Sequence, residues 1–230
     1  MNRLKPEKLI VDAAIFDLDG TIIDSVGIYH RIVDATLDRL GLPPVSIARL
    51  RDAAENDEFD WQKVFPEKID TVNTDLVETA WKVVEEISPQ MFSDAVELIP
   101  GAADILTRVA QGGLTIALVT STPQKSMPPK IVPLVDAGIH HFFDEIITSD
   151  DTTRKKPAAD PLIECLKRLG IAPEGSVYVG DTRVDIKAGK AAGTKTIGVL
   201  TGFGDFESLQ GEQPDAIIDS ITGLPSVLRI

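Results

Sequence analysis

A chain with one cysteine, Cys165, cannot close an internal disulfide, so no such cross-link helps to hold this fold. That cysteine falls on the apolar side of an expected helix, where a free thiol acts as a small core residue. Positive charge is also short: 23 basic against 36 acidic residues leave a net charge of -13, which argues against nucleic acid or an anionic membrane as a partner. No apolar run approaches the length of a bilayer span, so no transmembrane helix is expected. Arg3, Lys5 and Lys8 precede an apolar stretch, but Asp12 interrupts it and no small-residue cleavage site follows. That pattern does not read as a signal peptide, and a cytoplasmic location is expected. The three histidines, His30, His140 and His141, lack metal-ligand spacing and read as structural. At 230 residues with 43% hydrophobic content, the chain suits one core, or a core with a smaller insertion.

What the chain does have is a pair of acids at a strand end. The apolar run 13–16 is followed at once by Asp17-Leu18-Asp19-Gly20-Thr21. Side chains at i and i+2 of an extended segment point the same way, roughly 6.5 to 7 Å apart, so both carboxylates can serve one bound group. One can attack or hold a cation while the other carries a proton. An Asp-Gly turn that merely ends a strand is the competing reading.

Apolar spacing predicts a helix over 25–40, stopped at Gly41 and Pro43-Pro44, and another over 74–87. The charged stretch 49–68 between them has no strand pattern. From residue 100 the pattern alternates: helix 102–110, strand 115–119, strand 145–148, helix 161–169 with Asp160 as N-cap, strand 177–179, helix 184–192, strand 196–199 and a short last strand 216–218. Such alternation implies right-handed crossovers and an α/β doubly wound parallel sheet. Residues 22–97 interrupt it with helices only. The expected organisation is therefore a core of 1–21 and 98–230 with a helical cap domain over 22–97. No repeat or low-complexity segment stands out, although 125–133 is rich in proline.

Ligands of open parallel sheets bind at the carboxyl ends of the strands, and four such ends here carry polar groups. The first bears Asp17 and Asp19. The second bears Thr120 and Ser121, then Thr122-Pro123, which reads either as an anion site at a helix start or as simple N-capping by Thr122. The third is the loop Arg154-Lys155-Lys156-Pro157, where a lysine fixed by proline can neutralise phosphoryl charge, or where the charges are merely solvated. The fourth is Gly180-Asp181-Thr182-Arg183-Val184-Asp185, whose acids suit a hard cation such as magnesium, although acids also collect at helix starts for dipole reasons. Each signal is ambiguous alone. Their occurrence in order at successive strand ends is not.

With those motifs in place, the chain resembles the haloacid-dehalogenase-like (HAD) superfamily over nearly its full length, specifically the phosphatase branch with a helical cap after the first motif. F-D-L-D-G-T-I-I-D-S resembles the first family motif, L-V-T-S the second, K-K-P-A-A-D-P the third and V-G-D-T-R-V-D-I-K-A-G-K-A-A-G the fourth. The resemblance implies Asp17 as nucleophile, Asp19 as general acid and base, Thr120 and Ser121 as phosphoryl ligands and Lys156 as the charge-stabilising lysine. It also implies magnesium held by Asp17, the Asp19 carbonyl and Asp181, with Asp185 in support. The implied substrate is a small phosphorylated metabolite of the phosphoglycolate or sugar phosphate type. Two departures stand out: Met127-Pro128-Pro129 is expected to interrupt the helix after the second motif, and Lys155 occupies a position that is often Gly in the family. Lys156 is chosen because it directly precedes Pro157. Cap cations Arg49, Arg51 and Lys63 are weighed as substrate contacts against a solvated face, and Tyr29, Trp61 and Trp81 read as cap core. The rival functions are a phosphomutase of the same family and a non-catalytic metal-binding regulatory module. A dehalogenase is disfavoured because that branch lacks the second acid of the first motif.

Overall fold

The computed structural model describes residues 8–54, 59–65 and 74–230. Strand β1 (Ala13–Phe16) leads through the acidic turn to a two-residue strand, β2 (Ile23–Asp24). Helices α1 (Val26–Arg39), α2 (Ile47–Ala54), α3 (Trp61–Val64) and α4 (Thr74–Ala95) follow, and β3 (Glu97–Leu98) then pairs antiparallel with β2. The chain thus leaves and re-enters the sheet region through one small ribbon. Beyond it come α5 (Ala102–Gln111), β4 (Thr115–Val119), α6 (Met127–Asp136), β5 (Phe143–Ile147), α7 (Asp160–Leu169), β6 (Ser176–Gly180), α8 (Arg183–Ala192), β7 (Lys195–Val199), α9 (Phe206–Gly211), β8 (Ala216–Ile218) and α10 (Leu224–Val227).

The six longer strands form one parallel sheet in the order β5-β4-β1-β6-β7-β8, so the α/β doubly wound architecture expected from the alternation holds. Alternate side chains supply its two faces. Phe16, Ile116, Leu118 and Val177 pack with Leu106 and Leu134 on one side, while Ile15, Ala117, Val119 and Tyr178 pack with Leu162, Leu166 and Ala188 on the other. Cys165 lies in that second layer, fully buried, as its apolar helix position predicts, and burial pushes its thiol up to about 12. Each fully buried Leu, Ile or Phe contributes roughly 1.5 to 3 kcal/mol. The chain runs from β1 to β4 on one side and reaches β6 on the other. The order therefore switches at β1, where a crevice opens at the carboxyl ends.

Four local expectations are corrected. Pro128 and Pro129 do not interrupt α6; they sit in its first turn, where a missing N–H costs nothing, after a 3-10 turn over Gln124–Ser126. Asp160 is the first residue of α7 and Ala159 takes the cap position. Thr122 is not an N-cap either, because Pro123 precedes the 3-10 turn. Helix α4 also outruns its expected end and carries Pro89 inside it. Part of the charged stretch 49–68 lies outside the described residues. No helix among the described residues is long and apolar enough to cross a membrane.

Candidate active site

Register decides what meets at the crevice. Phe16 of β1 is level with Leu118 of β4 and Val179 of β6, so the next residues along the three strands are Asp17, Val119-Thr120 and Gly180-Asp181. Asp17 stays in sheet register, its amide bonded to the Val179 carbonyl at 2.8 Å. Gly20, at φ 74°, turns the chain back through a left-handed conformation that an L side chain rarely adopts.

Two lysines grip the two acids of the turn. Lys156 Nζ donates to Asp17 Oδ1 at 2.7 Å, to Asp185 Oδ1 at 2.6 Å and to the Tyr178 hydroxyl at 2.8 Å. Lys155, one residue earlier, is exposed. Lys130 Nζ donates to Asp19 Oδ2 at 2.7 Å, to the Tyr29 hydroxyl at 2.7 Å and to Thr122 Oγ1 at 2.9 Å. Thr122 Oγ1 lies 2.9 Å from the same Asp19 oxygen, to which it donates. Asp19 Oδ1 is buried and has no hydrogen-bond partner among the described residues.

Asp185 is fully occupied. Besides Lys156, it accepts from the Thr182 amide at 3.0 Å and hydroxyl at 2.7 Å, which closes a capping box at the start of α8. Asp181 accepts from the Phe203 amide at 2.8 Å and sits in a glycine cradle: a Cβ added at Gly202 would lie 1.8 Å from its Oδ2. On the β4 loop Thr120 is buried, its Oγ1 accepting from the Thr122 amide at 3.1 Å, whereas Ser121 is exposed.

One oxygen each from Asp17, Asp181 and Asp185 lies within 4.8 Å of the others. Burial pushes Asp17 up to about 7 against the pull of Lys156, with Asp185 and Asp19 pushing the same way. Burial also raises Asp181 well above its usual range, aided by Asp185 and Asp17. Burial would raise Asp185 as well, but Lys156 and Thr182 hold it below. Three buried carboxylates thus face one ammonium. An all-oxygen donor set with excess negative charge fits a hard divalent cation.

Lys130 and Tyr178 belong to this cluster although their sequence contexts read only as a proline-rich segment and a strand. A signal for Lys130 existed: it shares a helical stripe with Met127 and Leu134, both buried, and a lysine on an apolar stripe needs a partner. Tyr29 packs among the helices as expected, yet its hydroxyl also reaches into the site. Trp61 is buried, but Trp81 is 43% exposed, a correction to its reading as core. Arg49 donates to the carbonyls of Lys63 and Phe65, and Lys63 pairs with Asp52 at 2.8 Å, so both are committed within the helical segment. His30 bonds the Val45 carbonyl at 2.7 Å, a structural role.

Comparison with known proteins agrees with this geometry. The chain is 32% identical to the phosphoglycolate phosphatase of Escherichia coli (strain K12) over 234 aligned residues, covering 94% of this chain and 91% of that one. The phosphoglycolate phosphatase of Salmonella paratyphi A is 30% identical over 100% of this chain and 96% of its own. Among solved structures, a predicted phosphoglycolate phosphatase from Haemophilus somnus 129pt shares the fold with a TM-score of 0.82 at 22% identity, covering 94% of this chain and 97% of that one. CbbY from Rhodobacter sphaeroides, solved in complex with phosphate, shares it at 0.75 and 21% identity, over 95% and 99% of the two chains. A family model described as haloacid dehalogenase-like hydrolase matches residues 14–199. With the four strand-end motifs gathered at one crevice, the chain belongs to the haloacid dehalogenase-like hydrolases, in their phosphatase branch.

Proposed function

We propose that this enzyme hydrolyses a small phosphomonoester through a phosphoryl group carried on Asp17. The observation that supports it is the division between the two acids of the turn: Asp17 is held by Lys156 beside the carboxylate cluster, while Asp19 is held by a second lysine with one oxygen free. In the first step Asp17 attacks phosphorus, the bond from phosphorus to the ester oxygen breaks, and Asp19 gives that oxygen a proton. In the second, water attacks the aspartyl-phosphate, Asp19 takes its proton, and inorganic phosphate leaves with Asp17 restored. Splitting one transfer into two easier ones is the use of such a nucleophile.

Charge neutralisation supplies most of the stabilisation in phosphoryl transfer. Lys156 would provide part of it, and the Thr120 and Ser121 hydroxyls would donate to phosphoryl oxygens. Asp17, the Asp19 carbonyl and Asp181, with Asp185 beside them, would hold magnesium, which when bound neutralises charge on the phosphoryl oxygens. The helices between β2 and β3, residues 22–97, would act as a cap that excludes water and reads the leaving group, on a core of 1–21 and 98–230. The relatives' names favour phosphoglycolate or a similarly small phosphorylated acid or sugar, handled in the cytoplasm. A panel of phosphomonoesters assayed for phosphate release with and without magnesium tests the reading. Release from none of them in the presence of magnesium contradicts it.

A further inference from the structure

Lys130 is an expensive residue to bury. It is 3% exposed, on the inward stripe of α6, where an aliphatic side chain would pack without the cost of desolvating a charge. An ammonium has three protons, and all three here have acceptors: Asp19 Oδ2, Thr122 Oγ1 and the Tyr29 hydroxyl. With its donors spent, Lys130 is not available to bind substrate. Two aromatic rings close over it, Tyr29 at 5.0 Å and Phe92 at 4.5 Å from Nζ to ring centroid. Those rings meet edge-on at 5.3 Å, Tyr29 from α1 and Phe92 from α4.

The partners therefore divide into two groups. Asp19 and Thr122 belong to the strand ends of the sheet, whereas Tyr29 and Phe92 belong to the helices inserted between β2 and β3. One ammonium joins the acid of the turn to the roof above it. A separate link from the same segment, Lys125 to Glu85 of α4 at 3.0 Å, lies on the exposed surface, where such pairs contribute little.

We propose that Lys130 is a positioning residue that couples the seating of the cap to the orientation of Asp19. Lys130 and Thr122 hold Asp19 Oδ2, which leaves Oδ1 as the oxygen that exchanges the proton. Lifting the cap removes one acceptor and both ring faces from Lys130 and lets water reach the pair. Asp19 keeps Lys130 and Thr122 when the cap lifts, but Lys130 is then less constrained, so the proton carrier is held most rigidly when the cap is seated. This rests on the reading of Asp19 as acid and base.

The test compares substrates whose leaving groups do and do not need a proton. Wild type, Asp19→Asn, Lys130→Met and Tyr29→Phe are each mixed with an alkyl phosphate and with 4-nitrophenyl phosphate in pre-steady-state runs. Lys130→Met keeps the side-chain volume, and Tyr29→Phe keeps the ring and removes only the hydroxyl. With 4-nitrophenyl phosphate, Lys130→Met should retain a fast burst of nitrophenolate and then turn over about tenfold or more slowly, because the second step still needs a base. With the alkyl phosphate the first step should slow as well. Tyr29→Phe should show the same pattern at a few-fold size, which keeps the proposal open to refutation if Lys130→Met fails to fold. A first step slowed equally with both substrates, so that the nitrophenolate burst is lost, or no change in either variant, overturns the proposal. If Asp19→Asn shows the leaving-group pattern and the Lys130 and Tyr29 variants do not, the coupling alone is wrong. If Asp19→Asn lacks the pattern too, the acid-base reading fails and takes the coupling with it.

Discussion

Replacing Lys156 by Ala should damage both stability and turnover, and the structure gives the size of each. The substitution removes the ammonium that joins Asp17 and Asp185 at 2.7 and 2.6 Å, leaving two carboxylates, 8% and 2% exposed, facing each other without their shared cation. Breaking a buried pair from one side costs roughly 3 to 5 kcal/mol. For a chain of this size, about 2 to 4 °C of melting temperature goes with each kcal/mol, so a fall of roughly 6 to 20 °C is expected. Protonation of Asp17, already poised at about 7, relieves part of the cost and places the fall toward the lower figure in neutral buffer. Loss of a charge-stabilising donor should also lower kcat by ~10² to 10³. Lys155→Ala is the control: its side chain is exposed, and its effect should stay within about 0.5 kcal/mol. Phosphate release is measured well below each variant's melting temperature, with scanning calorimetry alongside. A larger loss from Lys155→Ala, or a Lys156→Ala protein within twofold of wild type and unshifted in melting, would refute the reasoning.

Asp19→Asn should slow hydrolysis of an alkyl phosphate by ~10² to 10⁴ while leaving magnesium binding measurable by calorimetry; wild-type turnover on that substrate would remove its role. Gly202→Ala places a Cβ 1.8 Å from Asp181 Oδ2, so that carboxylate must move, and overpacking of this kind costs about 1 to 3 kcal/mol. Weaker magnesium activation in that variant is the expected result, and an unchanged activation constant the contrary one. In the metal-free protein burial raises Asp17 from 3.8 to about 7, so the folded chain holds a proton there that the unfolded chain has lost. That contribution to stability is present below about 4 and lost as pH rises through about 7. Magnesium competes with the proton, so it should raise the melting temperature more at pH 8 than at pH 5; equal shifts would contradict the competition.

The central strands were legible because they are short apolar runs between turn residues, whereas edge strand β5 carries Asp144 and Glu145 and begins two residues before the expected 145–148. The acids of the first and fourth strand ends were legible for the same reason, since a strand's end fixes where its next side chain goes. Lys130 was not, because its value depends on α6 folding back over the first turn, a contact 111 residues apart in sequence. Prolines at 128 and 129 hid that helix by looking like breakers, when their place in its first turn makes them compatible with it. Tyr29 was half legible: helical spacing gave its ring a core position, but nothing local shows that its hydroxyl extends past that core to a lysine.

Chemical trapping of the phosphoryl carrier tests the central claim most directly. Wild-type enzyme is quenched in acid during turnover, an acyl phosphate is reduced with borohydride, and the peptide spanning residues 9–31 is read by mass spectrometry. The account predicts conversion of Asp17, and of no other residue, to homoserine, with none in Asp17→Asn. Full phosphate release with no modification at Asp17, or with the modification at Asp19, would contradict it.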